Sequence, residues 1–471
     1  MAEQGTPSDE SFRESEESRA PIVIFLLASA LTLLLWLLSS NVDSGPLRIM
    51  FLLCQVVMIS IVIWQACDPF ADAAQWIGRT LHIPGSVRGA TLDAIASSMP
   101  ELFTGIFFVV LAMVGTENAE LAASHSGGEG FAATLATCAG SAVYNMMLIP
   151  AICALFVSIY RPERPSIDIE DKVIARDGVW FMGCELVLIY FLFQDAMHWW
   201  MALVLLGLYA VYVWFLYRDA RLYRRVQRAI RSRIDANTSV QDLIDGLHAD
   251  GIHATRSLVE EVREELFGNS DTADADENDN GNGDDADEAG FLFGKFSVKL
   301  NHTTAWTVIA ISTLFAAAAC YWLVEVTTET ATELNVPLFF VAVILAAAAS
   351  SVPDTFLSVG AARRGDDDGA VSNAFGSNIF DICICLTIPL LVGSYLNGWQ
   401  PIEMSGDGSP IPGLYGLRIL LCALSLITLL IMWHNRRLTR NKAIVLCGLY
   451  MIFVAYAIAG SFGFTLQELM S

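Results

Sequence analysis

The chain has 471 residues, 54% of them hydrophobic, with a mean hydropathy of +0.51 and a formal net charge of −23. The apolar excess over the ~45–50% of a soluble domain is gathered into runs about as long as the ~20 residues that cross a bilayer, which excludes a soluble core for the main body. The negative charge, concentrated in SDESFRESEES near the N-terminus and in DTADADENDNGNGDDADE, excludes nucleic acid as a partner.

In chain order, residues 1–20 read as a disordered acidic tail, because they have little to bury. The first apolar run, 22–41 (a unit of 21–42), lacks the basic n-region of a signal peptide and reads as a retained transmembrane helix. Further spans are predicted at 48–66, 88–114, 132–158, 177–195 and 198–217, with a tight hairpin at 194–200. A polar insert, 218–300, follows, and then spans at 303–325, 336–361, 372–394, 414–433 and 441–460. That makes eleven helices in an all-α polytopic membrane protein, with one half over 46–217 and the other over 301–461. The ten cysteines lie in or beside apolar runs and form no CxxC pair, so they read as small packing residues.

Lys and Arg gather in RPERPSIDIEDKVIAR, RDARLYRRVQRAIRSR, ARRGDDDG and HNRRLTRNK, and are absent from GTENAELAASHSGGEG, TTETATELN and GWQPIEMSGDGSP. The positive-inside rule puts the first set, the N-terminus and the insert in the cytoplasm and the C-terminus outside. The insert is expected to hold a basic surface helix at 218–235, two amphipathic segments and the acidic linker. Within the linker, Asp276, Asn278, Asn280, Gly281 and Asp287 loosely resemble a Ca²⁺-binding EF-hand loop. The closing Glu is missing and Gly283 replaces the expected apolar residue, so a plain acidic linker is the better reading, with weak Ca²⁺ association left open. The sequons at Asn237 and Asn301 fall on the cytoplasmic side, where no glycosylation is expected.

Acids inside spans are costly and usually functional; here they are Asp93, Glu101, Glu185, Asp354 and Asp381. Three sit in matching surroundings. IASSMPELFTG in the first half pairs with AASSVPDTFLSV in the second, and GSAVYN pairs with GSNIFD. Five spans separate the two copies, so they cross the membrane in opposite directions, the inverted-repeat arrangement that puts ions near the midplane. Ser97 and Glu101, like Ser350 and Asp354, share a helix face. Pro100 and Pro353 free the carbonyls of Ala96 and Ala349 for a cation. Gly140 and Gly376 let Ser141 and Asn145, or Ser377 and Asp381, approach the first helix of their own pair. Such hydroxyl, carbonyl and carboxylate oxygens suit hard cations. Asp93 is a candidate acid at the inner mouth, weighed against a snorkelling or hydrogen-bonded side chain; Glu185 reads as a structural interhelical bond.

These segments, roughly 88–158 and 340–394, resemble the α-repeats of the cation/Ca²⁺ exchanger superfamily, and SSVPDTFLSVGAARRGDDDGAVSNAFGSNIFDI is most similar to the K⁺-dependent Na⁺/Ca²⁺ exchanger branch. The resemblance implies two inverted five-helix repeats plus an extra N-terminal helix. It implies that Glu101 and Asp354 ligate Ca²⁺ directly, and that Ser97, Ser98, Ser141, Asn145, Ser350, Ser351, Ser377 and Asp381 complete the Ca²⁺ and Na⁺ positions. It also implies that Asp381 governs K⁺, and that the second and seventh spans slide against the bundle. The expected activity is secondary antiport of Ca²⁺ against Na⁺ by alternating access, with K⁺ co-transport left open and no cofactor. A buried carboxylate can take a proton instead, so a Ca²⁺/H⁺ antiporter remains an alternative. A Ca²⁺ channel and an intramembrane aspartyl protease using Asp354 and Asp381 are distant ones, since paired halves favour exchange and no Gly-x-Gly-Asp occurs. Absence of a transit peptide favours a plasma membrane; the sequence names no protein partner beyond lipid and ions.

Overall fold

In hydrocarbon a backbone must satisfy its own hydrogen bonds, and this chain does so almost wholly as helix. The computed structural model describes residues 25, 27, 29–37, 45–81, 83, 85–114, 127–161, 163–169, 173–194, 196–231, 240–252, 254, 256–267, 288–406, 409–410 and 413–464. The N-terminal tail, Asn237, the outer loop before Gly127 and the EF-hand-like stretch lie outside them.

Residues 29–37 are helical. Then come α1 (Gly45–Thr80), α2 (Ala94–Val114), α3 (Gly127–Val143), α4 (Ile149–Tyr160), α5 (Val179–Leu192), α6 (Trp199–Arg231) and two short helices, α7 (Val240–Ala249) and α8 (Arg256–Phe267). The second half holds α9 (His302–Leu334), α10 (Leu338–Ser350), α11 (Val352–Arg363), α12 (Asp367–Phe380), α13 (Thr387–Leu396), α14 (Leu414–Trp433) and α15 (Arg440–Ser461). Eight helices among the described residues are long and apolar enough to cross a membrane, and α10 with α11, bent by 40°, makes a ninth. Of the most apolar 18-residue stretch, 67% is buried in Gly128–Tyr160 and in Gly369–Leu396, against 22% in α1. The repeat helices therefore form the centre, and α1 lies at the lipid face.

Small side chains explain that centre. Ala132, Ala133, Ala136, Ala139 and Ala142 bury the length of α3, giving neighbours close access. The expectation for Gly140 and Gly376 needs correcting here. A Cβ on Gly140 would meet the Val343 carbonyl and, at 2.6 Å, the Ala347 Cβ; one on Gly376 would meet the Ala90 Cα at 2.7 Å. Each glycine seats its helix on the first helix of the other repeat, not of its own. The halves are thus interlocked, and a site built on either pair is shared.

The two repeats also match in backbone. A π-helical turn at Gly89–Asp93 precedes α2, and one at Ala342–Ala346 sits at the same distance before the second acid; further π turns occupy Tyr144–Leu148 and Asp381–Cys385. Such wide turns recur at functional positions. The prolines act unequally. Pro100 is carried inside the continuous α2, whereas the second helix breaks at Ser351 (φ −86°, ψ 3°), with Pro353 in the first turn of α11.

Several boundaries moved. α1 runs on to Thr80, past the predicted end at residue 66, with Pro69 inside it, so Asp68 and Asp72 become helix residues and Cys67 is buried. The basic segment predicted as a separate surface helix is a direct continuation of α6 to Arg231. Its Val226 and Ile230 pack against Leu243 and Leu247 of α7 and Val259 and Val262 of α8. Asn301 caps α9, its side-chain oxygen accepting from the backbone N–H groups of Thr303 and Thr304. A hairpin, Glu288–Phe291 with Phe296–Lys299, rests on α1: Gly290 N–H donates to Asp72 (3.1 Å) and Phe293 N–H to Gln65 (2.6 Å).

Loops read as lying on one side do meet. Ile167–Asp168 pairs with Arg437–Leu438, and Ala196–Met197 with Ile402–Glu403. Cysteines at Asp168 and Arg437 should label from one side of the membrane with an impermeant maleimide, and one at Glu403 from the other. Labelling of all three from one side contradicts the fold. Packing makes a second prediction. Gly376→Val should destabilise the protein by about 1–3 kcal/mol or more, the usual overpacking range. Gly207→Ala, with nothing within 4 Å of the new atom, should leave the detergent melting temperature unchanged.

Candidate cation site

Helix spacing brings the site together. Residues four apart share a face, so α2 presents Ser97 and Glu101, α3 and its π turn present Ser141 and Asn145, and α12 presents Ser377 above Asp381 at the next π turn. Glu101, Asp354 and Asp381 are wholly buried, as are Ser97, Ser98, Ser141, Asn145, Ser350, Ser351 and Ser377.

The contacts cross between repeats. Ser141 Oγ lies 3.1 Å from Glu101 Oε1 and 2.9 Å from Asp381 Oδ2, so one hydroxyl faces a carboxylate from each half. Ser351 Oγ stands 3.1 Å from Glu101 Oε1 and 2.9 Å from Ser141 Oγ. The Asn145 amide donates to Asp354 Oδ2 at 3.4 Å, and Ser377 Oγ donates to Asp354 Oδ1 at 2.6 Å. Ser97 Oγ and Ser377 Oγ are 3.1 Å apart, while Ser97 also donates to the Asp93 backbone carbonyl at 3.0 Å. Ser350 turns to the Ala347 carbonyl of its own helix, at 3.2 Å. Ser98 and the Ala96 and Ala349 carbonyls lie on the same buried turns.

Acceptors outnumber donors. A carboxylate offers about four lone-pair positions, so three offer roughly a dozen. The donor side chains that bond them include Ser141, Ser351, Ser377 and Asn145, and Ser97 and Asn373 also stand close to Asp354, Ser350 to Glu101 and Ser98 to Asp381. Glu101 Oε2, Asp381 Oδ1 and Asn145 Oδ1 are buried without a hydrogen-bond partner. Among the described residues, no salt bridge reaches any of the three acids. Nor does any group of three or more His, Cys, Asp or Glu converge as a metal cluster. The acids are linked through serine and asparagine, and a cation here would take mixed carboxylate, hydroxyl and amide oxygens.

Two other candidates stand apart. Asp93, 9% exposed, is ion-paired with Arg88 through Oδ2 (3.4 Å to Nε), while its Oδ1 is buried without a hydrogen-bond partner. Glu185 of α5 accepts from Ser425 of α14 at 2.9 Å, an interhelical bond as expected. Sequence reasoning missed Asp68 and Asp72, hidden by ending α1 too early, and Asn373, which the four-residue spacing Asn373–Ser377–Asp381 would have revealed.

The sequence matches the family described as sodium/calcium exchanger protein over residues 50–218 and 304–459, more than half of the chain. Human sodium/potassium/calcium exchanger 4 is 23% identical over an alignment covering 83% of this chain and 78% of that one. Human sodium/potassium/calcium exchanger 5 is 25% identical, covering 77% and 74%. Among solved structures, the H⁺/Ca²⁺ exchanger CAX superposes over 95% of each chain with a TM-score of 0.52 at 14% identity, a likeness of fold. On the repeat architecture and these matches, the chain is a multi-pass membrane protein that belongs to the sodium/calcium exchanger family.

Proposed function

We propose that the protein is a secondary antiporter exchanging Ca²⁺ for Na⁺, with K⁺ as a co-substrate, through the site around Glu101, Asp354 and Asp381. The observation that carries this reading is a buried set of three carboxylates with no basic partner, bridged between the repeats by Ser141, Ser351 and Asn145. Charge in that setting must be neutralised by protons or bound cations, because an uncompensated ion in a low-dielectric interior costs several kcal/mol, and the oxygen-rich surroundings favour cations.

Competition follows from shared oxygens. Glu101 and Asp354 are the direct Ca²⁺ ligands, each from one repeat. Ser97, Ser98, Ser141, Asn145, Ser350, Ser351 and Ser377 extend the set for Na⁺, with the Ala96 and Ala349 carbonyls. Loading with Ca²⁺ therefore excludes Na⁺ and the reverse. Asp381 matches Asn145 in the other repeat, so one half carries an extra acid where its twin carries an amide. That added charge fits a further monovalent cation, as the names of the sodium/potassium/calcium exchanger relatives indicate for those proteins.

Alternating exposure needs an element that moves without dismantling the site. α1 and α9 pack side by side through Leu52, Val56, Ile59, Ile63, Ala316, Ala319, Cys320 and Leu323. Arg48 of α1 also pairs with Glu329 and Glu333 of α9, so the two outer helices hold to each other and can slide as a pair against the repeat bundle. The positive-inside rule applied to the basic α6 extension supports a cytoplasmic insert and N-terminus and an outer C-terminus, and the expected location is the plasma membrane.

The test is ⁴⁵Ca²⁺ uptake into Na⁺-loaded proteoliposomes, with and without external K⁺. Wild type should take up Ca²⁺ only with an outward Na⁺ gradient, and Glu101→Gln or Asp354→Asn should lower the rate by about 100-fold or more, the scale of losing a charged ligand worth about 3 kcal/mol. Asp381→Asn should keep Na⁺-driven uptake and lose its K⁺ dependence. Uptake driven by a pH gradient and indifferent to Na⁺ would contradict the reading.

A further inference from the structure

A second polar layer lies beside the main site, on one side only. Ser358 stands one turn beyond Asp354 on α11, and Asn373 one turn before Ser377 on α12. The pair therefore sits next to the Asp354–Ser377 bond, toward the loop that joins α11 to α12. Asn373 Nδ2 donates to Ser358 Oγ at 3.0 Å. Both residues are buried, Asn373 at 3% exposure and Ser358 fully. Asn373 Oδ1 has no hydrogen-bond partner. The donor end of the planar amide is held by Ser358, so its carbonyl end is fixed away from that hydroxyl, free to accept. A buried carbonyl left unmatched calls for an explanation, and a cation or an ordered water supplies one.

The first repeat has no such layer. The positions matching Ser358 and Asn373 are Gly105 and Thr137. A Cβ at Gly105 would meet the Thr134 methyl at 2.7 Å and the Pro389 ring at 3.0 Å, and Thr137 Oγ donates to the Ala133 carbonyl of its own helix at 2.9 Å. One flank of the main site is thus filled mainly by the Thr134 methyl and the Pro389 ring, and the other carries an unmatched amide oxygen. An amide oxygen near a carboxylate is a hard donor that replaces part of an ion's hydration and holds it less firmly than the central acids.

We propose that Asn373 Oδ1, held in place by Ser358, forms an accessory subsite for a partly hydrated Ca²⁺ moving between the main site and the solvent at the α11–α12 loop. This rests on the exchange reading above. In this subsite Asn373 takes the place of waters that Ca²⁺ sheds on the way to Asp354.

Two readouts test it: the Ca²⁺ dependence of Na⁺-driven ⁴⁵Ca²⁺ uptake, and Ca²⁺-dependent thermal stabilisation of the purified full chain. Asn373→Leu should raise the half-saturating Ca²⁺ concentration about tenfold, the effect of losing one ligand worth about 1.4 kcal/mol, with the maximal rate held within about twofold. Asn373→Asp, which keeps the oxygen, should restore the wild-type value or lower it. Ser358→Ala, which removes only the orienting bond, should shift it less than Asn373→Leu. An unchanged half-saturating concentration in Asn373→Leu, or a fall in maximal rate alone, would overturn the subsite and leave exchange standing, as would equal damage from Asn373→Asp. Wild type that is stabilised by Ca²⁺ through Asn373 but shows no Na⁺-driven flux would sink the exchange reading and keep the subsite. Neither flux nor stabilisation would sink both.

Discussion

Three carboxylates buried in a membrane protein without a basic partner set the terms for everything around them. Glu101, Asp354 and Asp381 have no access to water and no salt bridge among the described residues. A structure that keeps them must supply either protons or cations, and the surroundings favour oxygen-liganded cations. The neighbouring hydroxyls are too few to satisfy the acids, and Asn145 and Glu101 still present unmatched oxygens. Because hydration is lost on burial, only a loaded site is cheap to enclose. The same energetic term that makes the acids costly thereby ties movement to ion binding.

The interlocking of the repeats follows from that constraint. Ser141 bridges acids from both halves, and Asn145 reaches from the first half to Asp354 in the second. Gly140 and Gly376 make these reaches short by removing the side chain where helices of opposite repeats touch. Neither half alone holds all three acids. The pseudo-symmetry is broken where chemistry needs it: Asn145 faces its twin Asp381 with one charge fewer, and the Asn373–Ser358 layer has no counterpart beside Gly105. The outer helices α1 and α9 meet mainly through apolar side chains, with Arg48 paired to Glu329 and Glu333.

Much of this was legible in the sequence, for a physical reason. Hydrophobic run length locates the spans, and the repeated Ser-Ser-x-Pro-acid pattern marks which helix faces carry the candidate ligands, because residues four apart stay together on any helix. Glu101, Asp354, Ser141 and Asp381 were found that way. What a single helix cannot reveal is its neighbour. The spacing that placed Gly140 against a helix named no partner, and the partner proved to be the opposite repeat. The pairing of Asp93 with Arg88 depends on the π turn between them, which no periodicity shows. Asp68 and Asp72 were passed over because the polar stretch after residue 66 resembled a loop, although Pro69 is accommodated inside α1. The basic surface helix expected at 218–235 is, as far as Arg231, a continuation of α6, because the polarity changes sharply where the backbone does not.

The central claim is that mutually exclusive cations neutralise one shared carboxylate site. Equilibrium Ca²⁺ binding by the purified full chain, titrated calorimetrically in Na⁺-free buffer and again at rising Na⁺, tests it without requiring transport. The account predicts saturable Ca²⁺ binding that weakens steadily as Na⁺ rises and disappears in Glu101→Gln. Ca²⁺ binding that ignores Na⁺, or that survives loss of the Glu101 charge unchanged, would contradict it.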